Sequence, residues 1–412
     1  MFSKIGDLLK SYSLLKNHFS QTKLTHIMNP IISSFSAIDT QSSCALLAPQ
    51  IYDGSTLYQD HALLIEKGVI IEIVPQTTIP ATYEQYDCGD LLMPGFIDLQ
   101  VNGGGGVLFN DEPNLKGIKT ILQAHQARGT AALLPTLISA DDNTIEQGIK
   151  AVSQGMKASL PGLLGIHIEG PMINLKRKGI HAAANLRILS DHLIDTICGH
   201  HEMVRLVTLA PEIVPLKLIE KLTKAGVIVF AGHTEASPER LKEAIAAGLQ
   251  GFTHLYNAMP AMESRKPGTT GFAIQAEKSY ASIIHDGLHV DPLMVQLAYR
   301  SKPKGKLFLV SDAMSSIGAI QNQFQLDDQM IYLRDGRLVN ADGTLAGAHL
   351  DMAQALLNTL HSIDIPLIDA LAMATSIPAQ IIQSIQYGYL KKGNKAMINV
   401  LKDDKISPVF FK

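Results

Sequence analysis

Two histidines each close a short apolar run. The run 227–231 ends in Gly232-His233-Thr234, and 251–253 leads into His254. Between them, Ser237-Pro238-Glu239 has the form of a helix start: Ser as N-cap, Pro at the first helical position, an acid in the first turn. Gly248 ends the helix-forming stretch 240–247. The unit is therefore strand–helix–strand, with a histidine at the carboxyl end of each strand. In a parallel sheet or barrel those ends are neighbours, on the face where ligands sit. Either histidine alone reads equally well as a polar residue capping its strand; the two in register point to a metal. A carboxylate joins them, because the run 163–168 leads to Glu169 in His167-Ile168-Glu169-Gly170-Pro171. Two imidazoles and one carboxylate, with a fourth position open, are the donor set of a catalytic rather than a structural zinc site. An ion held this way lowers the pKa of bound water towards ~7 and supplies hydroxide at neutral pH. Asp312, in Ser311-Asp312-Ala313 after the run 307–310, is placed to take the water's proton and pass it to a leaving group. Aspartate at that point also suits a helix N-cap.

The elements that must deliver these groups alternate along the centre of the chain. Strand-like apolar runs fall at 96–101, 131–137, 163–168, 203–209, 227–231, 251–253, 281–284 and 307–310. Helix-like segments at 114–128, 144–159, 216–224, 292–300 and 350–360 lie between or after them. Eight strands in βα order predict an α/β fold, a (β/α)8 TIM-like barrel over 93–384. Residues 45–92 read as short strands (46–52, 61–66, 69–75) separated by Asp53-Gly54 and Lys67-Gly68 turns. A similar pattern returns in 385–412, so the two ends are expected to build one small β-sandwich domain.

Residues 1–44 form an N-terminal extension. Residues 1–28 hold four lysines, one acid and apolar residues at helical spacing. They read as an appendage, with a targeting peptide or surface helix as the alternatives. Residues 29–44 read as a polar linker. The net charge of −3 gives no electrostatic case for nucleic acid. No apolar run reaches the length of a membrane span. Cys44, Cys88 and Cys198 are far apart, which fits a reducing compartment and excludes a thiolate zinc site.

Ten stretches in order carry a resemblance. They include MPGFIDLQVNGGGGVLFND (93–111), GIHIEGPMIN (165–174), KGIHAAAN (178–185), TLAPE (208–212), FAGHTEAS (230–237), GFTHLYNAM (251–259), IIHDGLHVD (283–291), LVSDAM (309–314) and GTLAGAHLDM (343–352). In these the chain resembles the amidohydrolase superfamily and, within it, the N-acetylglucosamine-6-phosphate deacetylase family, over roughly 50–400. The resemblance implies that Glu169, His233 and His254 bind one divalent metal, zinc first, with iron, manganese or cobalt as alternatives. It implies that Asp312 is general base and acid, and that His181 contacts the N-acetyl carbonyl and stabilises the oxyanion. It implies contacts to the sugar phosphate from Asn257, Ala258, Arg265, His289, Leu345 and Ala346, and a cytoplasmic homodimer or tetramer. On the residues alone, Arg265 is a charged loop residue and His181 a solvated loop histidine. Many superfamily members carry His-x-His at the end of the first strand for a second metal. Here Gln100 and Asn102 stand there, and neutral amides are poor ligands beside imidazole, so one metal is expected. The implied reaction is hydrolysis of N-acetylglucosamine 6-phosphate to acetate and glucosamine 6-phosphate. Its rivals are another N-acyl amidohydrolase, such as an acyl-amino-acid deacylase or a cyclic-amide hydrolase, and a non-catalytic barrel that binds without turning over.

Overall fold

The computed structural model describes residues 43–411. The expectations for residues 1–42 lie outside the described residues. Ser43 and Cys44, assigned above to the linker, already belong to a strand, Ser43–Leu47.

The centre is a barrel of eight parallel strands, hydrogen-bonded in chain order. They are Phe96–Val101, Thr130–Leu137, Ile166–Glu169, Val204–Leu209, Ile228–Ala231, Gly251–Phe252, Tyr280–Ile283 and Leu307–Leu309. Almost every strand residue is buried, as expected of parallel strands covered by helices on one side and packed inside on the other. The ring closes just past the last strand. Val101 and Ala313 form a parallel bridge, and the Asn102 N–H donates to Ala313 O at 2.9 Å. Phe96, Phe230, Phe252 and Phe308 are fully buried, each stabilising by about 1.5–3 kcal/mol on burial.

The helices start where the sequence signals say. Ser237 Oγ accepts from Arg240 N, with Pro238 at the first helical position of Pro238–Ala246. Asn114, Asp141, Ser190, Asp291 and Asp351 cap their helices with side-chain oxygens in the same way. The helix Leu115–Gln126 buries Ile118, Ile121 and Leu122 on one stripe against the barrel.

Both ends of the described chain build the sandwich. One sheet holds Val69–Pro75, His61–Glu66, Ser43–Leu47 and Glu84–Asp87; the other holds Lys405–Val409, Ile398–Lys402, Leu91–Pro94, Gln50–Tyr52 and Leu57–Gln59, in those orders. Cys44, Leu46, Leu63 and Ile65 face Leu92, Ile398 and Val400 across its core. The run 46–52 is not one strand, as expected from its sequence, but two strands in different sheets, broken at Ala48-Pro49. Proline has no N–H to continue the ladder there.

Between the last barrel strand and the helix Met352–Ser362 sits a three-stranded antiparallel sheet, Gln323–Leu326, Gln329–Arg334 and Arg337–Val339. Its Leu326, Ile331 and Leu338 pack on Leu108, Ile138, Met314 and Ala346 at the carboxyl end of the barrel, with Ile180 against the cluster. Among the described residues, no helix is long and apolar enough to cross a membrane.

Candidate active site

A belt of hydrogen-bonded polar side chains crosses the barrel interior beneath the site. Thr136 Oγ1 lies 3.3 Å from His167 Nδ1, His167 Nε2 lies 2.8 Å from Thr208 Oγ1, and Thr208 Oγ1 lies 2.6 Å from Thr253 Oγ1. Burial pushes the His167 pKa down to about 4, so the ring is neutral. Here His167 belongs to the support, whereas Glu169, two residues on and also buried, turns its carboxylate into the site.

Glu169 is the last residue of the third strand, while His233 and His254 each stand two residues beyond their strands. Their backbones, and that of Asp312, take positive φ values of 49°, 35° and 50°. This region is disfavoured for any residue with a Cβ, and it recurs at these three strand ends, though not at Glu169. His233 Nε2 and His254 Nε2 lie 3.0 Å apart, and Glu169 Oε1 lies 3.3 and 3.1 Å from them. His233 Nδ1–H donates to Arg177 O at 2.7 Å, which leaves Nε2 as the nitrogen with the lone pair. Burial opposes charge on Glu169, yet the two imidazoles beside it hold its pKa well below the usual carboxylate value. Three donor atoms meet in a buried space: a carboxylate oxygen and two imidazole nitrogens. A divalent cation satisfies all three at once, so this donor set fits a metal.

Gln100 and Asn102 fill the other side of the centre. Gln100 Nε2 donates to Glu169 Oε1 at 2.9 Å and to Asp312 Oδ1 at 3.1 Å; Asn102 Nδ2 donates to Asp312 Oδ1 at 2.7 Å. The amides thus turn N–H groups, not oxygens, towards the carboxylates. Burial first, and the Glu169 charge second, push the Asp312 pKa up to about 6. No helix begins at Asp312, so its side chain is no N-cap.

His181 is buried rather than solvated, contrary to what its basic loop context suggests. Its ring packs 4.5 Å from that of His233. The Ser139 N–H donates to His181 Nδ1 at 3.1 Å, and Ser139 Oγ lies 2.7 Å from the same nitrogen. An Nδ1 that accepts leaves the proton on Nε2. Burial, reinforced by His233, pushes the pKa down to about 3 and keeps the ring neutral with one N–H to give.

The remaining candidates are placed less uniformly. His289 Nδ1 lies 2.6 Å from Asp286 Oδ2, in a loop whose N–H groups also bind Asp286. His285 of the same motif faces away, bonded to Thr359 and Ser362. Asn257 is half-buried, and Ala258 has a positive φ of 52° with its carbonyl accepting the Thr234 N–H. Arg265 is exposed in the loop 261–267. Leu345 is partly exposed, whereas Ala346 is buried in the cluster under the three-stranded sheet and gives its N–H to Leu338 O. Sequence spacing singles out neither Ser139 nor Glu212, which support His181 and the region of His233 from other strand ends. The sequence signals are that both follow apolar strand runs and that Glu212 ends the family-like stretch TLAPE.

Comparison with known proteins places this geometry. Residues 91–412 match the Amidohydrolase family and residues 44–92 the NagA composite domain. A curated relative, the N-acetylgalactosamine-6-phosphate deacetylase of Shewanella sp. (strain ANA-3), is 41% identical, covering 76% of this chain and 80% of its own. The N-acetylglucosamine-6-phosphate deacetylase of Haemophilus influenzae is 31% identical, covering 86% and 94%. The crystal structure of N-acetylglucosamine-6-phosphate deacetylase from Pasteurella multocida superposes with a TM-score of 0.84 at 30% identity, covering 88% of this chain and 97% of that one.

Proposed function

The chain belongs to the amidohydrolase family, and from that premise we propose that it is a deacetylase hydrolysing N-acetylglucosamine 6-phosphate to acetate and glucosamine 6-phosphate. The observation that carries the reading is the convergence of Glu169, His233 and His254 on one point, with Asp312 tied to the same centre through Gln100. A divalent ion held by those three residues supplies Lewis acidity, polarising the acyl carbonyl and acidifying water. Zinc suits the donor set best, and iron, manganese or cobalt also fit it. One ion is expected, because Gln100 and Asn102 face the carboxylates with N–H groups where a second cation would need donor atoms.

Asp312 takes the proton of the attacking water and returns it to the departing amine. Its raised pKa keeps proton affinity high enough for both halves of that transfer. His181, neutral with its proton on Nε2, donates to the acetyl oxygen as negative charge develops. Arg265 and His289 bind the phosphate, where a guanidinium fork suits a dianion. Asn257, Ala258, Leu345 and Ala346 line the sugar. A homodimer and a cytoplasmic setting belong to the same reading.

The relative at 41% identity carries a galactosamine name, which favours a second reading: the C4 epimer as the better substrate. Steady-state acetate release decides both questions, from N-acetylglucosamine 6-phosphate, N-acetylgalactosamine 6-phosphate and unphosphorylated N-acetylglucosamine side by side. A preference of at least about 100-fold for a phosphorylated sugar is expected. Equal rates with and without phosphate would remove Arg265 and His289 from the site. A preference for the galacto epimer would transfer the assignment to it, and no release from any of the three would sink the deacetylase reading.

A further inference from the structure

Glu212 stands three residues beyond the fourth barrel strand and bonds directly to none of Glu169, His233, His254 or Asp312. Its carboxylate instead collects three donors: Asn174 Nδ2 at 2.9 Å, Thr234 Oγ1 at 2.5 Å and the Glu235 N–H at 2.6 Å. Those donors come from two segments that meet at His233. From one side, the Asn174 N–H donates to His233 O at 2.9 Å and the Arg177 carbonyl takes the His233 Nδ1 proton at 2.7 Å. From the other, Thr234 and Glu235 are the residues that follow His233. An Arg177–Glu235 ion pair closes the loop between the two segments.

His233 needs such a frame. Its φ of 49° is a conformation disfavoured for a residue with a Cβ, so the turn relaxes unless its neighbours hold it. The segment 174–181 also carries His181, whose ring packs on His233. Fixing one segment against the other therefore sets both rings.

We infer that Glu212 is a positioning residue: it ties the segment 174–181 to the turn 233–235 and so fixes the His233 ring as a metal ligand. This rests on the reading of Glu169, His233 and His254 as the metal site. Removing the carboxylate leaves the three ligands in place but loosens one of them, and a loosened ligand shows first in how fast the ion leaves.

The test uses zinc-loaded full-length protein challenged with excess chromogenic chelator, with release followed over time. Glu212→Gln offers one acceptor oxygen and turns an NH2 towards one of the three donors. It is expected to release zinc roughly 10–100-fold faster than wild type, with the apoprotein unfolding within about 2 °C of wild type. Unchanged release overturns the inference, and so does faster release that only tracks a loss of apoprotein stability. Should Glu212→Gln fail to fold, Thr234→Val and Asn174→Ala decide the matter; each removes one donor to Glu212, together with the acceptor of the Ala236 or the Lys176 N–H. Faster release in both supports the inference and wild-type release in both overturns it. His233→Ala in parallel keeps the two readings apart: if it holds zinc as wild type does, the metal-site reading itself fails.

Discussion

The Asp312 carboxyl is raised from 3.8 to about 6 by burial and by the neighbouring Glu169 charge. A group whose folded pKa lies above its unfolded value is best tolerated protonated. Its contribution to stability is intact below pH 4 and is lost as pH rises through 6. Metal-free Asp312→Asn is therefore expected to be more stable than wild type at pH 7, by on the order of 1–3 kcal/mol, with the gap closing towards pH 4. The same variant keeps its metal and loses turnover by about 100–10,000-fold. Thermal unfolding of apoprotein across that pH range and turnover on metal-loaded protein check both halves. Undiminished turnover would take Asp312 out of the reaction. The four central residues were legible because each ends an apolar run, a position that chain order alone reveals. The support of His181 was not legible, because Ser139 lies 42 residues away and nothing local links them. The proton on His181 Nε2 follows only from that contact.

Helices and barrel strands were legible from period and caps: the helix Leu216–Lys224 falls where the apolar spacing puts it, and Ser237 caps as its sequence says. The three-stranded sheet at 323–339 was not read, although Asp335-Gly336 is a strong hairpin signal. Its strands are short, so an alternation such as Gln323-Phe324-Gln325-Leu326, with both glutamines exposed, spans too few residues to stand out. What makes the sheet stable is the cluster it shares with Met314 and Ile138 on distant parts of the chain. Leu338 is buried there, and Leu338→Ala should cost about 2–4 kcal/mol at the sheet. Because the cluster lies outside the barrel core, the loss should appear as faster proteolysis within 320–345 rather than as a matching fall in the global unfolding temperature. Protease digestion followed by mass spectrometry separates the two; a global fall without local cleavage would make the sheet part of the main cooperative unit.

On the scale of the whole molecule, the sandwich and the barrel meet at the amino ends of the strands, away from the site. Asn399, on a C-terminal strand, is buried and donates through Nδ2 to Gly129 O at 2.8 Å, immediately before the second barrel strand. Loss of that donor leaves the buried Gly129 carbonyl with the Phe96 N–H alone and removes the side-chain tie between sandwich and barrel. Asn399→Ala should lower global stability by about 1–3 kcal/mol while leaving KM unchanged. Urea unfolding and steady-state kinetics on one preparation test this, and a raised KM would mean that strain crosses the barrel. Two terminal β stretches could be recognised as parts of one module from their similar patterns, but their pairing, Leu92 opposite Val400, is set by three-dimensional closure. That closure has a consequence for synthesis. A ribosome releases Leu46, Leu63, Ile65 and Leu92 about 300 residues before Ile398 and Val400, which at ~5–20 residues per second is a delay of roughly 15–60 s. Until then half a sandwich core faces water on the nascent chain, a natural client surface for chaperones. A message cut short before its last strands would leave that surface uncovered for good, marking the product for removal even with its barrel complete.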